Sequence, residues 1–323
     1  MSPVILCVDI GGTHLRAARF SPAGQMLQRE SILTRVDEGF GAVLARLYRL
    51  IERVLPEGGE EVIGIGLAVP GPLNPYTGVI IGAPNMPGWV NVPLRDLVAE
   101  RFGYPVSIGN DANLAALGEH RFGAGRGYND VIYLTISTGI GSGIITDGRM
   151  LLGRDGLGAE AGHIVVEPDG PRCGCGGYGH LEAVASGTAL GRQAAALVAE
   201  GQAPAIAELA GGDPARVTAE IVGKAALAGD PVAIGLVTRA ARYIGQGITT
   251  LLHLFNPGIV ILGGGVTQLG DLLFEPIRAR VRELAMSPVY WENTPIVRAA
   301  LGDDVGLLGA LALVLKESEP TGG

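Results

Sequence analysis

The sequence predicts an α/β protein of two lobes facing each other across a cleft; a duplicated motif and the chain's length predict it. At Pro3–Phe20 an apolar strand, Val4–Val8, runs through Asp9 into Gly11, Gly12 and Thr13 and resumes as a second strand. The pattern returns at Val131–Ile145, where a β-branched strand enters Ser137, Thr138, Gly139, Gly141 and Gly143 before another apolar strand. Two copies of strand, glycine turn and strand suggest related half-domains. At 323 residues, 47% of them hydrophobic, the chain is long for one domain and has ample apolar content to bury a core.

The first turn suits an anion. Gly11 and Gly12 can take backbone angles closed to other residues and leave amide N–H groups bare, which makes a cradle for phosphate. Asp9, at the strand's end, could hold a magnesium ion (Mg2+) beside it, directly or through water. Alone, DIGGT also fits an ordinary glycine-rich β-turn. The second copy favours the cradle, each turn gripping one end of a polyphosphate that lies in the cleft.

Composition narrows the partners. A net charge of -8 and the scarcity of Lys/Arg runs argue against a nucleic-acid surface, which needs clustered cations. Met1 leads straight into a strand without a basic leader, and no apolar run approaches membrane-spanning length, so the expectation is a soluble, cytoplasmic protein with no membrane partner. Of three cysteines, Cys173 and Cys175 are separated by one glycine, a spacing that suits a metal better than a disulfide, while Cys7 in the first strand reads as inert core.

The remaining elements follow from periodicity. Phe40–Val54 places Phe40, Val43, Leu44, Leu47, Leu50, Ile51 and Val54 at helical spacing, with arginines and Glu52 between. Val62–Val69 is a nearly continuous apolar run, as in a buried strand, and Pro70-Gly71-Pro72 stops it. The Pro-, Gly- and Asn-rich stretch through Trp89 reads as a surface Ω-loop or a site lining. A helix over Leu94–Phe102, a strand over Val106–Ile108 and a helix over Asp111–Phe122 follow. Asn110 and Asp111 thus stand at a strand's carboxyl end and a helix's amino end, where ligands bind in α/β sheets; a plain N-cap is the competing reading.

Beyond an irregular region, Arg149–Ser186, come helices over Thr188–Glu200, Thr218–Ala228 and Pro231–Phe255. A strand, Ile259–Leu262, opens into Gly263, Gly264 and Gly265, a triplet that admits a flat ligand or phosphate as readily as tight strand–helix packing. Helices over Leu269–Ala285 and Val305–Leu315 end the chain. No G-x-G-x-x-G follows the first strand and opens a helix, which argues against a dinucleotide-binding oxidoreductase.

The densest chemistry lies between Glu160 and Glu182. His163, Cys173, Cys175 and His180 could supply a tetrahedral Cys₂His₂ set for zinc (Zn2+), closed and therefore structural, with glycines that let a short loop fold round the ion. A loop with free thiols and surface imidazoles is the alternative. Glu160 and Glu182, carried on that frame, are natural partners for sugar hydroxyls, each able to accept two hydrogen bonds.

In this order, DIGGTHLRAA, PGPLN with the later APN, GNDANLAALGE, STGIGSGI, the EAGH-to-CGCGGYGHLE run and ILGGGV resemble the motifs of ROK-family sugar kinases over nearly the whole chain. The resemblance implies the two-lobed actin-like ATPase fold, built from duplicated ribonuclease H-like domains with a cleft between lobes. Residues 1–118 would form a small lobe completed by a C-terminal helix, 305–323, and residues 119–304 a large lobe with the zinc-binding loop.

It also implies roles. ATP phosphates and magnesium would meet Asp9, Gly11, Gly12 and Thr13; the Thr138, Gly139 and Gly141 turn would hold the other phosphates; Gly263, Gly264 and Gly265 would pack on adenosine. Asp111 would be the catalytic base, with Asn110, Glu160, His163 and Glu182, and also Gly71 and Asn85, on the sugar. The family usually has cysteine at the position of His180, so this zinc set departs by one imidazole. The expected reaction is phosphoryl transfer from ATP to a hexose, first glucose at its 6-hydroxyl, with other hexoses, a polyphosphate donor or a sugar-responsive regulator as alternatives. A closing hinge is expected near Gly109–Asp111 and the start of the last helix, and a homodimer or homotetramer is the implied assembly.

Overall fold

A computed structural model describes residues 1–83 and 85–318. Pro84, inside the APN motif, and residues 319–323, the end of the expected C-terminal helix, lie outside the described residues.

The first sheet is built from Ser2–Ile10 (β1), His14–Phe20 (β2), Met26–Leu33 (β3), Glu60–Val69 (β4) and, beyond a small sheet of Leu73–Asn74 (β5), Val79–Gly82 (β6) and Val90–Val92 (β7), Val106–Asn110 (β8). Its order is β3-β2-β1-β4-β8, antiparallel across the hairpins and parallel from β1 to β4 to β8. The second sheet uses Val131–Ile136 (β9), Ile140–Thr146 (β10), Arg149–Met150 (β11), Ile259–Gly263 (β12) and Ile296–Arg298 (β13), in the order β11-β10-β9-β12-β13. Its pairings repeat the same sequence of antiparallel then parallel partners. The duplication read from the two glycine hairpins is therefore a duplication of whole sheets.

Helix Phe40–Val54 (α1) buries Val43, Leu47, Leu50, Ile51 and Val54 over the first sheet, the stripe its spacing predicts. Leu94–Phe102 (α2) and Asp111–Phe122 (α3) follow as expected. The second lobe adds Leu181–Ala185 (α4), Gly187–Ala199 (α5), Pro204–Leu209 (α6), Ala219–Leu227 (α7), Pro231–Phe255 (α8), Asp271–Leu284 (α9) and Val289–Glu292 (α10). Pro231 and the Asp230 cap, whose carboxylate accepts from the Ala233 amide at 2.8 Å, fix the start of α8. Val305–Ser318 (α11) closes the described chain and packs against β1, β4 and α3.

Two expectations change and one strand was missed. The stretch through Trp89 is no Ω-loop: β5, β6 and β7 form an antiparallel sheet, Asn74 accepts from the Tyr76 and Thr77 amides at 3.0 and 3.1 Å, and buried Trp89 meets Phe40 edge-on at 5.2 Å. Strands of two to four residues leave too little alternation to read. β3 escaped notice because, as an edge strand, it buries no residue fully and carries charges. The expected helix from Leu269 starts at Asp271, after a 3₁₀ turn over Gly265–Leu269.

Between the sheets, α3 and α11 cross at contact distance. A Cβ on Gly118 would lie 2.9 Å from the Gly309 amide nitrogen, and one on Gly309 would strike the Leu114 carbonyl. The same approach continues into the sheets: Gly66 of β4 sits under Ala310, and Gly143 of β10 under Ala116. Cys7 is buried in this shared core, and burial pushes its thiol up, as befits an inert residue. Gly309→Ala should therefore destabilise the protein by roughly 1–3 kcal/mol, as overpacking against backbone does. Chemical denaturation would check this, and an unchanged midpoint would contradict the close crossing.

Candidate active site

The first turn is pinned from behind. The Gly11 amide donates to the His14 carbonyl at 2.9 Å, while buried Thr34, just past β3, donates its hydroxyl to the Gly11 carbonyl at 2.6 Å and its amide to the Thr13 carbonyl at 2.9 Å. Asp9, at the end of β1, pairs with Arg16 directly across the hairpin at 2.9 Å. Burial raises the Asp9 carboxyl, with Arg16 opposing. Sequence reasoning missed Arg16, although hairpin symmetry about Gly12 and Thr13 places it opposite Asp9.

The second turn leans on α4 and α5. Glu182, on α4, accepts from the Ile140 amide at 2.9 Å, and Gly139 has no room for a Cβ against that carboxylate. The Gly187 and Thr188 amides at the start of α5 donate to the Ser137 and Thr138 carbonyls at 2.7 and 3.2 Å. Beyond them opens a cavity of about 900 Å³ lined by Thr138, Thr188, Thr218, Lys224, Gly265 and Gln268, among others. Here the glycine triplet divides. Gly265 lines the cavity, whereas Gly263 lies under the Tyr133 hydroxyl and Gly264 against the Ile136 backbone, so those two serve packing. Gly141, read as a phosphate-turn residue, lies in β10 beneath Ala112 of α3. Thr188, Thr218 and Lys224 come from helix starts and faces with no local motif to expose them.

At the β8–α3 junction Asn110 does what a cap does: its side-chain oxygen accepts from the Ala112 and Asn113 amides at 3.0 and 3.2 Å. Its side-chain amide donates to the Gly71 carbonyl at 3.2 Å, tying down a loop whose Gly71 has φ 83°. A side chain on Gly71 would run into Gly82 and Ala83. Asn85 lies beside Gly12, its Cβ 3.8 Å from where a Cβ there would stand.

Asp111 follows at the start of α3, open to solvent yet partly desolvated by the protein around it. That desolvation, against which the Ala112 amide donates at 2.8 Å, and then the fields of Asp9 and Glu160 push its carboxyl up to about 6. Its opening onto cleft water moderates the shift but not its direction. Glu160 is raised too, by burial first and by Glu182, with His163 opposing. Carboxylates from the first hairpin, the helix junction and the irregular loop thus share one electrostatic neighbourhood.

His163, Cys173, Cys175 and His180 converge as a set, their ligand atoms all within 4.8 Å of one another. Cys175 Sγ is 3.2 Å from His180 Nδ1, and Cys173 Sγ is 3.8 Å from His163 Nδ1. The Cys173 amide donates to the Gly177 carbonyl at 2.7 Å, which folds the loop, and Gly177 leaves space that His180 fills. The donor set fits zinc in number, type and spacing. Cys173 Sγ also stands 3.6 Å from Glu182 Oε1, joining the cluster to the second turn.

The ROK family model matches residues 5–317. The chain belongs to the ROK family. It is 39% identical over 310 residues to the glucokinase of Thermotoga maritima, covering 96% of each chain, and 35% identical over 315 residues to the glucokinase of Streptomyces coelicolor, covering 97% and 98%. The ROK glucokinase of Streptomyces griseus, solved with glucose and AMPPNP, superposes with a TM-score of 0.82 at 36% identity over 96% of this chain and 98% of that one. A xylose repressor of Caldicellulosiruptor bescii is 31% identical, the match covering 97% of this chain and 78% of the repressor. As a ROK protein the chain has the two-lobed actin-like kinase fold with a cleft between its lobes. Among the described residues no single helix is long and apolar enough to cross a membrane.

The raised Asp111 has a stability consequence. Between the ordinary aspartate range and about 6, the folded state holds a proton that the unfolded state gives up, so stability falls as pH rises through that window. Asp111→Asn should then melt higher than wild type at pH 7.5, the advantage shrinking as pH is lowered towards 4. Thermal melts at both pH values check it; an equal or lower melting point for the variant at pH 7.5 would refute the crowding of this carboxyl.

Proposed function

We propose that this ROK protein transfers the γ-phosphoryl group of ATP to the 6-hydroxyl of glucose. The observation that carries the reading is Asp111: a carboxylate at the strand-to-helix junction, in the fields of Asp9 from the first glycine hairpin and Glu160 from the opposite lobe. The glucokinases it resembles support glucose as the acceptor.

Phosphoryl transfer depends on alignment and charge neutralisation more than on covalent catalysis. The hexose lies between the two lobes, its hydroxyls accepted by Glu160 and Glu182 and donated to by His163 and Asn110, with the Gly71 and Asn85 loops over it. Asp111 accepts the 6-hydroxyl proton as the oxygen attacks phosphorus. The amides of Gly11, Gly12 and Thr13 receive the phosphates from one side and the Thr138–Gly139 turn from the other; adenosine occupies the 900 Å³ cavity beside Gly265. Magnesium, beside Asp9, would offset phosphate charge. Zinc, held by His163, Cys173, Cys175 and His180, would stiffen the loop that carries Glu160 and Glu182. Cytoplasmic residence suits an enzyme that draws on ATP, and a homodimer or homotetramer completes the reading.

A panel of hexoses at fixed ATP, read as kcat/KM through ADP release, tests the function: glucose should lead, and no ADP formation with any hexose would overturn it. Asp111→Ala should lower kcat about 10²- to 10⁴-fold while glucose still binds. In the wild type kcat/KM should fall below pH about 6 as Asp111 takes up a proton; near-normal turnover in the variant would remove Asp111 from its role. Metal analysis of protein purified without chelator should find about one zinc per chain, the content of a closed four-ligand site. A metal-free preparation with full activity would count against zinc.

A further inference from the structure

A second concavity, of about 350 Å³, lies outside the cleft on the first lobe, lined by Ile32, Leu33, Arg35, Arg46, Arg49 and Arg53. In a chain of net charge -8 this is an anomaly: four guanidiniums and no carboxylate among the lining side chains. Arg46, Arg49 and Arg53 come from one face of α1, at helical spacing, and Arg35 from the turn two residues past β3 in a left-handed conformation, φ 53°. Glu38 nearby pairs with Arg35 at 3.3 Å and with Arg46, which hold its carboxyl below the usual range, Arg46 foremost. Arg49 and Arg53 have no carboxylate partner among the described residues and are exposed.

The pocket is also tied to the machinery of the cleft. Arg46 donates to the Thr34 carbonyl at 2.6 Å, and Thr34 is the buried residue whose hydroxyl and amide brace Gly11 and Thr13. Thus Thr34, between the lining residues Leu33 and Arg35, links the arginine groove to the back of the first turn.

We infer that this groove is an anion site for a small molecule carrying two or more phosphoryl groups. Guanidiniums match phosphate geometry in bidentate pairs and stay charged at every working pH. Four of them lining one groove of about 350 Å³ suit several phosphoryl groups better than one carboxylate. An inorganic oligophosphate and a doubly phosphorylated sugar share that chemistry. The inference is independent of which sugar enters the cleft.

The test is isothermal titration of protein already saturated with glucose and AMPPNP, so that the cleft is filled, using sodium tripolyphosphate in one arm and fructose 1,6-bisphosphate in the other. Binding in either arm is expected, weakening with added salt as exposed charge pairs do. Arg49→Ala/Arg53→Ala, both surface changes, should weaken it roughly tenfold while leaving kcat and KM for glucose and ATP, measured without added anion, within about twofold of wild type. Stronger binding of tripolyphosphate identifies the inorganic chain as the ligand class, and stronger binding of the bisphosphate the sugar ester. Binding in neither arm, or equal affinity in the double variant, overturns the assignment.

Discussion

Everything in the active site hangs on how closely α3 can approach its neighbours. The helix begins at Asp111 and is gripped on two sides: α11 through Gly118 and Gly309, and β10 through Gly141 and Gly143, which admit Ala112 and Ala116. Dispersion over such tight contacts is individually small and collectively large, and backbone-to-backbone proximity leaves no slack. The N-terminus of α3 is thereby fixed against both sheets at once. A group placed there belongs to neither lobe alone, which is what a base between a phosphate donor on one side and an acceptor on the other requires.

That placement has an electrostatic cost with a chemical use. Asp9, Asp111 and Glu160 are like charges in shared, partly dehydrated surroundings, and each is raised, by burial first. Among the described residues Asp9 has a guanidinium at contact, Arg16, and His163 opposes the rise at Glu160, whereas Asp111 is opposed by little beyond the Ala112 amide. A raised carboxyl is a better match for proton transfer at neutral pH than an ordinary aspartate. On the proposed function, the arrangement that makes Asp111 useful also costs the protein stability, the usual relation between a working site and its scaffold.

Local patterns were legible in the sequence; consequences of register and distance were not. The glycine hairpins, α1, α3 and α8 follow from apolar spacing, caps and turn chemistry within a window of residues, and the Cys-His run announces its cluster by density alone. Arg16 needed pairing arithmetic across the turn. The cavity lining needed α5, α7 and the Gly265 turn brought together from distant stretches. Gly141, Gly263 and Gly264 look identical to cradle glycines in sequence, since a missing side chain says only that something comes close. Here the something is Ala112, Tyr133 and Ile136. The arginine groove was hidden for a different reason: three of its cations share one face of α1, where they read as an ordinary solvated helix face, and Arg35 joins them only when α1 lies on β3.

The metal cluster joins this scheme through one carboxylate. Glu182 stands between Cys173 Sγ, 3.6 Å from Oε1, and the Ile140 amide, 2.9 Å from Oε2, with Gly139 cleared to let it in. A loop of this length, rich in glycine, has high conformational entropy when free, and four ligand bonds to one ion would remove most of it. Rigidity gained at the cysteines would therefore pass to Glu182 and from it to the second glycine turn, which the proposed function assigns to the phosphates. Substituting His180 for a thiolate changes one of those bonds from sulfur to nitrogen, and the nitrogen is anchored: His180 meets His163 edge-on at 5.4 Å and fills the space Gly177 leaves open. The imidazole is held by packing, so under the proposed zinc site the frame beneath Glu182 would not depend on sulfur at that position.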